Sequence, residues 1–404
     1  MVLAGGEGKR LMPLTAQRAK PAVPFGGRYR LIDFAISNLV NSGYRKIVVL
    51  TQYKSHSLDV HISKTWNLSS ELGHYITTVP AQMRRGPRWF TGSLDAIYQN
   101  FNLITDERPE HIIVFGADHI YRMDARQMLD AHIASGAGAT VAGIRAPLSD
   151  ASQFGVIEVG ADSNRILAFK EKPTDAKGLP DSPNEILASM GNYIFSTELL
   201  MDVAAEDADD SDSAHDIGGD LIPRLVEQGE AHVYDYTQNV VPGDTDHNRH
   251  YWRDVGTIDS YFDANLDLVV PQPLFTLYNP DWPIYSYSRN LPPAKFIVDP
   301  DAGDPRVVNS LVHSGVIVKG GHVNTSVLST GSYVGPNADL ERVVLLDNVQ
   351  VGEGAVLRNC VIDKNVRIPP GTRIGIDPEE DVERFTMSAG GVAVVPKNSI
   401  ISPD

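Results

Sequence analysis

The residues best placed to do chemistry open the chain, where Leu3-Ala-Gly-Gly-Glu-Gly-Lys-Arg-Leu11 runs into Arg18-Ala-Lys-Pro-Ala-Val-Pro24. Residues 1–3 are apolar and suit a strand. Gly5, Gly6 and Gly8 then let the backbone turn sharply and bring its N–H groups up to a ligand. Lys9, Arg10, Arg18, Lys20, Arg28 and Arg30 follow, opposed only by Glu7. In a chain of formal net charge −16, such a gathering of cations at a glycine turn marks a cradle for something more anionic still, and phosphates are the first candidate. The bland alternative is a flexible turn beside solvated cations. Two familiar phosphate loops are excluded: the dinucleotide fingerprint needs a third glycine opening a helix, and the Walker loop needs Ser or Thr where Arg10 stands.

Carboxylates supply the other half of such a chemistry. His111-Ile-Ile-Val-Phe-Gly-Ala-Asp-His-Ile120 reads as a strand that delivers Asp118 at its carboxyl end. There a carboxylate can hold Mg²⁺ while phosphates and water complete the shell, or it can equally cap a helix. Tyr251-Trp-Arg-Asp-Val-Gly-Thr257 places Asp254 before a helix predicted over 258–269, and one magnesium between Asp118 and Asp254 makes a coherent site. A hairpin of 154–159 with 165–169 presents Glu171, able to accept from sugar hydroxyls, and Lys172, able to donate to a phosphate. A further strand over 187–195 begins with Ser189 and Gly191. After Gln82, Gly92 would admit a flat base, although Ser93 or Asp95 capping a helix through Ile104 is the better reading on residue type alone.

These groups need elements to hold them. Residues 29–40 carry apolar side chains at helical spacing and stop near Gly43, and 46–51 is a strand of the buried, parallel type. Strand, loop, helix and strand in that order make a right-handed crossover, the beginning of an α/β sheet whose ligands sit at the carboxyl ends of its strands. Residues 138–144 read as another strand. The segment 53–88 is mixed and loop-like, and its His56, His61 and His74 lack the partners of a metal site. The acidic run 206–220 reads as a solvated loop. Prolines from Pro271 to Pro305 forbid long regular elements and make 270–305 a linker. Beyond it Leu328, Val334, Leu340 and Leu346, then Val356, Ile362, Ile368 and Ile374, recur every six residues with slips of phase. That is the sign of a parallel β-helix of about four coils.

With 404 residues, 42% of them hydrophobic, the chain has room for two sizeable cores. It holds no apolar run of about 18 residues and opens without the zones of a signal peptide, so neither a membrane nor export is expected. Cys360 is the single cysteine, which fits a reducing cytoplasm. The acidic balance argues against nucleic acid as a partner. The start lies close to the glycine turn, so either the first strand is short or further residues precede it.

The Gly-Gly-x-Gly-x-Arg-Leu turn followed by Lys-Pro resembles the signature of sugar-phosphate nucleotidylyltransferases. RAKPAVPFGG at 18–27, YRLIDF at 29–34, TQYKSHSL at 51–58, GADHIY at 116–121, SMGNY at 189–193 and YWRDVGT at 251–257 extend the likeness over essentially the whole chain to the bacterial glucose-1-phosphate adenylyltransferases. The resemblance implies an α/β, Rossmann-like catalytic domain with a mostly parallel mixed sheet over 1–269. The 270–305 linker then leads to a left-handed parallel β-helix over 306–404, serving assembly and regulation. It implies adenylyl transfer from ATP to glucose 1-phosphate, with pyrophosphate released and ADP-glucose supplied for glycogen. Leu3, Gly5, Gly6 and Arg10 would hold ATP with Lys20 beside them, Gln82 and Gly92 would read adenine, and Asp118 and Asp254 would bind Mg²⁺. Gly155, Glu171, Lys172 and Ser189 would hold glucose 1-phosphate. By the same resemblance, metabolite effectors would bind Arg18, Arg30, Arg358 and Arg384 between the domains of a homotetramer. Gln17 and Pro24 stand where some relatives carry further basic groups, and surface salt bridging is the alternative for the four arginines. Rival functions are another nucleotidylyltransferase, a catalytically silent regulatory subunit, and an acyltransferase built on the β-helix.

Overall fold

The computed structural model describes residues 1–82, 84, 86, 88–160 and 163–402. The strand Val2–Ala4 lies between the parallel strands Lys46–Thr51 and His111–Gly116, with Tyr75–Pro80 outermost on the first side. Beside His111–Gly116 the sheet turns antiparallel. The long strand Glu185–Ser196 pairs through its second half with His111–Gly116 and through its first half with Gly155–Val159. Its other edge runs along Ala139–Pro147, which pairs in parallel with Ala231–Asp235. A bulge between Ser189 and Tyr193 interrupts that long strand where the two halves part. The predicted hairpin is Gly155–Val159 with Ile166–Glu171.

The helix predicted over 29–40 forms at Leu31–Asn41, its first turn closed by Asp33, whose Oδ2 accepts from the Arg30 backbone N–H at 2.9 Å. Three sequence readings are overturned. The segment 53–88 is not loop-like: it holds the helix His56–Thr65 and the strand Tyr75–Pro80. Only Leu58, His61 and Ile62 of that helix are buried, too narrow an apolar stripe to read by periodicity. The helix through Ile104 breaks at Gln99 into Ser93–Tyr98 and Phe101–Glu107. Neither Ser93 nor Asp95 caps its own helix. Ser93 Oγ donates to Asp216 at 2.8 Å, and Asp95 Oδ2 accepts from the Thr91 backbone at 2.9 Å. The acidic run is no solvated loop: Asp207 is 2% exposed and accepts from Ser213 Oγ at 2.7 Å, with His215 Nδ1 at 2.8 Å.

The C-terminal part is a left-handed parallel β-helix. One face stacks Lys295–Ile297, Ile317–Lys319, Tyr333–Val334, Gln350–Val351 and Arg367–Ile368, five coils rather than about four. Equivalent residues such as Asn348 and Asn365 are 17 apart, one short of three hexads. This shortfall explains the slips of phase, and it puts Leu345 and Leu357 inward beside Leu340 and Ile362. Asn348, Asn365 and Asn398 turn one corner in left-handed backbone and bond to one another at 3.0 Å along the stack. Phe25, Phe34, Tyr261 and Phe262 from the first domain share one apolar cluster with Val327, Val344, Val361 and Val394 of the β-helix. The two domains are therefore packed on a common core.

Candidate active site

The glycine turn leaves the sheet after Ala4 and closes into a short 3₁₀ turn, Lys9–Leu11. Gly8 holds φ +68°, and its carbonyl accepts from Thr15 Oγ1 at 2.8 Å. Gln52, at the end of the neighbouring strand, packs beside Gly5 and ties the Phe90 backbone to it, accepting from its N–H at 2.6 Å and donating to its carbonyl at 3.2 Å. Leu3 is half-buried in the strand beneath.

A two-stranded ribbon brings the carboxylates together. His119–Tyr121 pairs antiparallel with Trp252–Asp254 in a register that opposes His119 to Asp254, so Asp118 falls next to Asp254. Lys20 Nζ, on a second 3₁₀ turn, sits 2.8 Å from Asp118 Oδ2 and 3.4 Å from Asp254 Oδ1. His119 Nε2 lies 3.8 and 3.9 Å from the same two groups, and the Arg10 guanidinium and Asp254 carboxylate both border Gly256. Burial acts to raise the Asp118 pKa, but the charges of Lys20, His119 and Arg10 outweigh it and hold the group well below the usual carboxylate range. The Lys20 pKa moves the other way and is raised: burial opposes, and the two carboxylates prevail. The capping alternative for Asp118 falls away, because Asp124 caps the next helix through the Arg126 N–H.

Two carboxylates that converge on one cation, here the Lys20 ammonium, are also the donor set of a hard divalent ion that draws its remaining ligands from phosphates and water. Among the described residues no group of three or more His, Cys, Asp or Glu side chains is placed to hold a metal by protein alone.

A second cluster lies across the bulge. Gly155 stands opposite Glu171, and a Cβ there would meet the Phe169 ring at 2.4 Å and Glu171 Oε2 at 3.0 Å. Lys172 follows in left-handed backbone with its ammonium on Glu171. Ser189 is buried and accepts from the Gly191 N–H at 3.3 Å; it lies near the buried Tyr193 hydroxyl, whose pKa burial pushes well up, with Asp216 and Glu171 adding to the rise. Gly191 meets the His119 ring, so the bulge joins this cluster to the acidic pair. Gln82 is exposed and accepts from Arg84. The space a Gly92 Cβ would fill is taken by the carbonyls of Ala214 and His215 at 2.5 and 2.1 Å, so its missing side chain serves packing.

The four arginines do not assemble into one cluster of ligand-facing groups. Arg18 is sealed against Asp363 at 2.9 Å, and Arg30 donates to the Ala22 carbonyl. Arg358 is held on the β-helix by Asp339 and Glu341, and Arg384 stacks over Phe385 at 5.1 Å. An interdomain cavity of about 330 Å³ does exist, lined by Arg28, Arg30, His56, Lys64, Arg289 and Asp347 among others. Residue types alone did not mark Gln52, His119, Tyr193 or Asp216. TQYKSHSL, GADHIY and SMGNY contained three of them, but only the fold reveals what they face.

Residues 1–269 match the nucleotidyl transferase family model, and 292–395 match the GlmU-like C-terminal hexapeptide model. The chain is thus a nucleotidyl transferase carrying a hexapeptide β-helix. Within that class it is 57% identical over 403 residues to a glucose-1-phosphate adenylyltransferase of Frankia casuarinae, covering 100% of this chain and 98% of the relative. It is 58% identical to the enzymes of the same name from Acidothermus cellulolyticus, over 409 residues (100% and 98% covered), and Mycobacterium leprae, over 397 residues (98% and 97% covered). The chain belongs to the glucose-1-phosphate adenylyltransferase family.

Proposed function

We propose that this protein transfers the adenylyl group of ATP to α-D-glucose 1-phosphate, giving ADP-glucose and pyrophosphate for α-glucan synthesis. The observation that carries the reading is the meeting of Lys20 with both carboxylates of the Asp118–Asp254 pair at the mouth of the glycine turn. Gly5 and Gly6 present backbone to the triphosphate, while Glu171, Lys172 and Ser189 orient the sugar phosphate. A phosphate oxygen of the sugar forms the new bond to the α-phosphorus, and the α–β P–O bond breaks with its electrons leaving on pyrophosphate. The attacking monoester has a second pKa near 6 and is mostly dianionic at pH 7, so no side chain need remove a proton. Lys20 and Arg10 stabilise the departing charge. Asp118 and Asp254 would hold Mg²⁺, which when bound screens the repulsion between the two anionic substrates.

The alternative of a silent regulatory subunit is disfavoured by this complete constellation. Regulation by anionic metabolites is supported by the basic interdomain cavity around Arg28, Arg30, Lys64 and Arg289. The burial of Arg18 and the ion pairs of Arg358 favour a structural role for those two arginines. A homotetramer in the cytoplasm accords with the β-helix, with the single buried Cys360, and with the absence among the described residues of any helix long and apolar enough to cross a membrane.

The test is pyrophosphate release from ATP, Mg²⁺ and glucose 1-phosphate, against a panel of other nucleotides. Asp118→Asn is expected to fold normally and to lose activity by on the order of 10³-fold or more. Near-normal turnover in that variant, or release with dTTP or UTP exceeding that with ATP, would sink the reading.

A further inference from the structure

We propose that Asp363, in the β-helix, is a positioning residue for the phosphate cradle, acting through Arg18 on Lys20. The inference rests on the reading of Lys20, Asp118 and Asp254 as the reacting centre. Arg18 Nη2 lies 2.9 and 3.0 Å from the two Asp363 oxygens, and the two side chains are only 5% and 1% exposed. Arg18 Nη1 is buried with no hydrogen-bond partner among the described residues, so Asp363 answers the charge of this guanidinium. Ala19 is fully buried, and the next residue, Lys20, contacts both carboxylates. One tripeptide is therefore pinned to the C-terminal domain at one end and to the acidic pair at the other.

Asp363 is itself a firm anchor. Its Oδ1 accepts from the Lys364 N–H at 2.7 Å, and its own N–H donates to Val395 across the last coil at 2.9 Å. A second tie holds the opposite carboxylate. Asp259, in the first turn of the helix Ile258–Asp267 that follows Asp254, accepts from Ser388 Oγ and, at 3.1 Å, from the Gly390 N–H. Lys20 and Asp254 arrive from distant parts of the chain, and each is moored to the β-helix within a few residues.

Removing one partner of a buried ion pair leaves the other uncompensated, so Arg18 must shift toward water or another acceptor and carry Ala19 and Lys20 with it. Charge placed for a transition state is sensitive to displacements of about 1 Å.

The test uses the full chain without effectors and reads kcat and KM from pyrophosphate release. Asp363→Asn is expected to lower kcat by about tenfold or more while KM for ATP and glucose 1-phosphate stays within about threefold. Asp363→Glu, which keeps the charge, should fall between that variant and the parent. Asp299→Asn breaks the Lys319–Asp299 pair on the β-helix and should leave kcat unchanged. If Asp363→Asn does not fold, Ser388→Ala tests the second tie and should lower kcat in the same sense. Any of three results overturns the inference: kcat within about twofold of the parent, a change confined to KM, or an equal loss in Asp299→Asn. Asp118→Asn, run alongside, separates the premises. Its full activity overturns the reading of the acidic pair, whereas its loss beside an unaffected Asp363→Asn overturns the inference alone.

Discussion

Gly8 has the most constrained backbone of the cradle. At φ +68° an L side chain is strained by roughly 1 kcal/mol, and a Cβ would stand 3.0 Å from both Lys20 Cβ and Thr15 Cγ2. Gly8→Ala is therefore expected to cost about 1–2 kcal/mol in urea unfolding and to lower kcat on the order of tenfold by pushing Lys20 off the carboxylates. Unchanged kcat would mean that Lys20 keeps its place without the turn. At this scale the sequence was informative where chemistry restricts residue type. A glycine turn followed by cations has few other uses, and an Asp at a strand end, which alone could equally cap a helix, gains its meaning beside that turn. It was silent on His119 and Gln52, whose roles depend on which strand lies opposite. It could not show that Arg358 already has Asp339 and Glu341 beside it, because a basic residue looks the same in sequence whether it awaits an anion or is paired.

Elements were legible where burial is two-sided and obscure where it is partial. The buried strand Lys46–Thr51 and the helix Leu31–Asn41 declare themselves in apolar pattern, whereas the helix His56–Thr65 buries only three side chains. The helix Ala125–Ser135 has a polar residue inside its contact face: His132 is 1% exposed, its Nδ1 is 2.8 Å from Thr140 Oγ1, and its ring meets that of His111 at 5.0 Å. Burial, with help from His111 and His232, pushes its pKa down to about 4. The folded value lies below the unfolded one near 6.5, so the unfolded chain binds the proton first. Stability from this group is complete above about pH 6.5 and is lost as pH falls toward 4, by up to about 3 kcal/mol. Urea midpoints at pH 7, 5.5 and 4.5 should fall more steeply in the parent than in His132→Gln. Parallel slopes would show that this helix does not titrate with folding.

Over the whole molecule, the catalytic sheet and the β-helix share one core and two polar ties, so an event at their interface reaches residues beside the reacting centre. Lys364 makes that interface titratable. It donates to Asp347, which lines the interdomain cavity, at 2.5 Å. Burial and the nearby Arg30 and Arg18 push its pKa down to about 8 against the pull of Asp347. An anion entering the cavity adds negative charge and favours the protonated amine, so binding must take up a proton around that pH and must weaken as pH rises above about 8. Titration calorimetry of fructose 6-phosphate at pH 8, in two buffers of different ionisation enthalpy, should report uptake of up to about half a proton per site. Lys364→Met should abolish it. The phosphate's own second pKa, near 6, lies too low to mimic the effect. Equal uptake in the parent and in Lys364→Met would place the anion away from this cavity, and with it the route by which the β-helix is addressed.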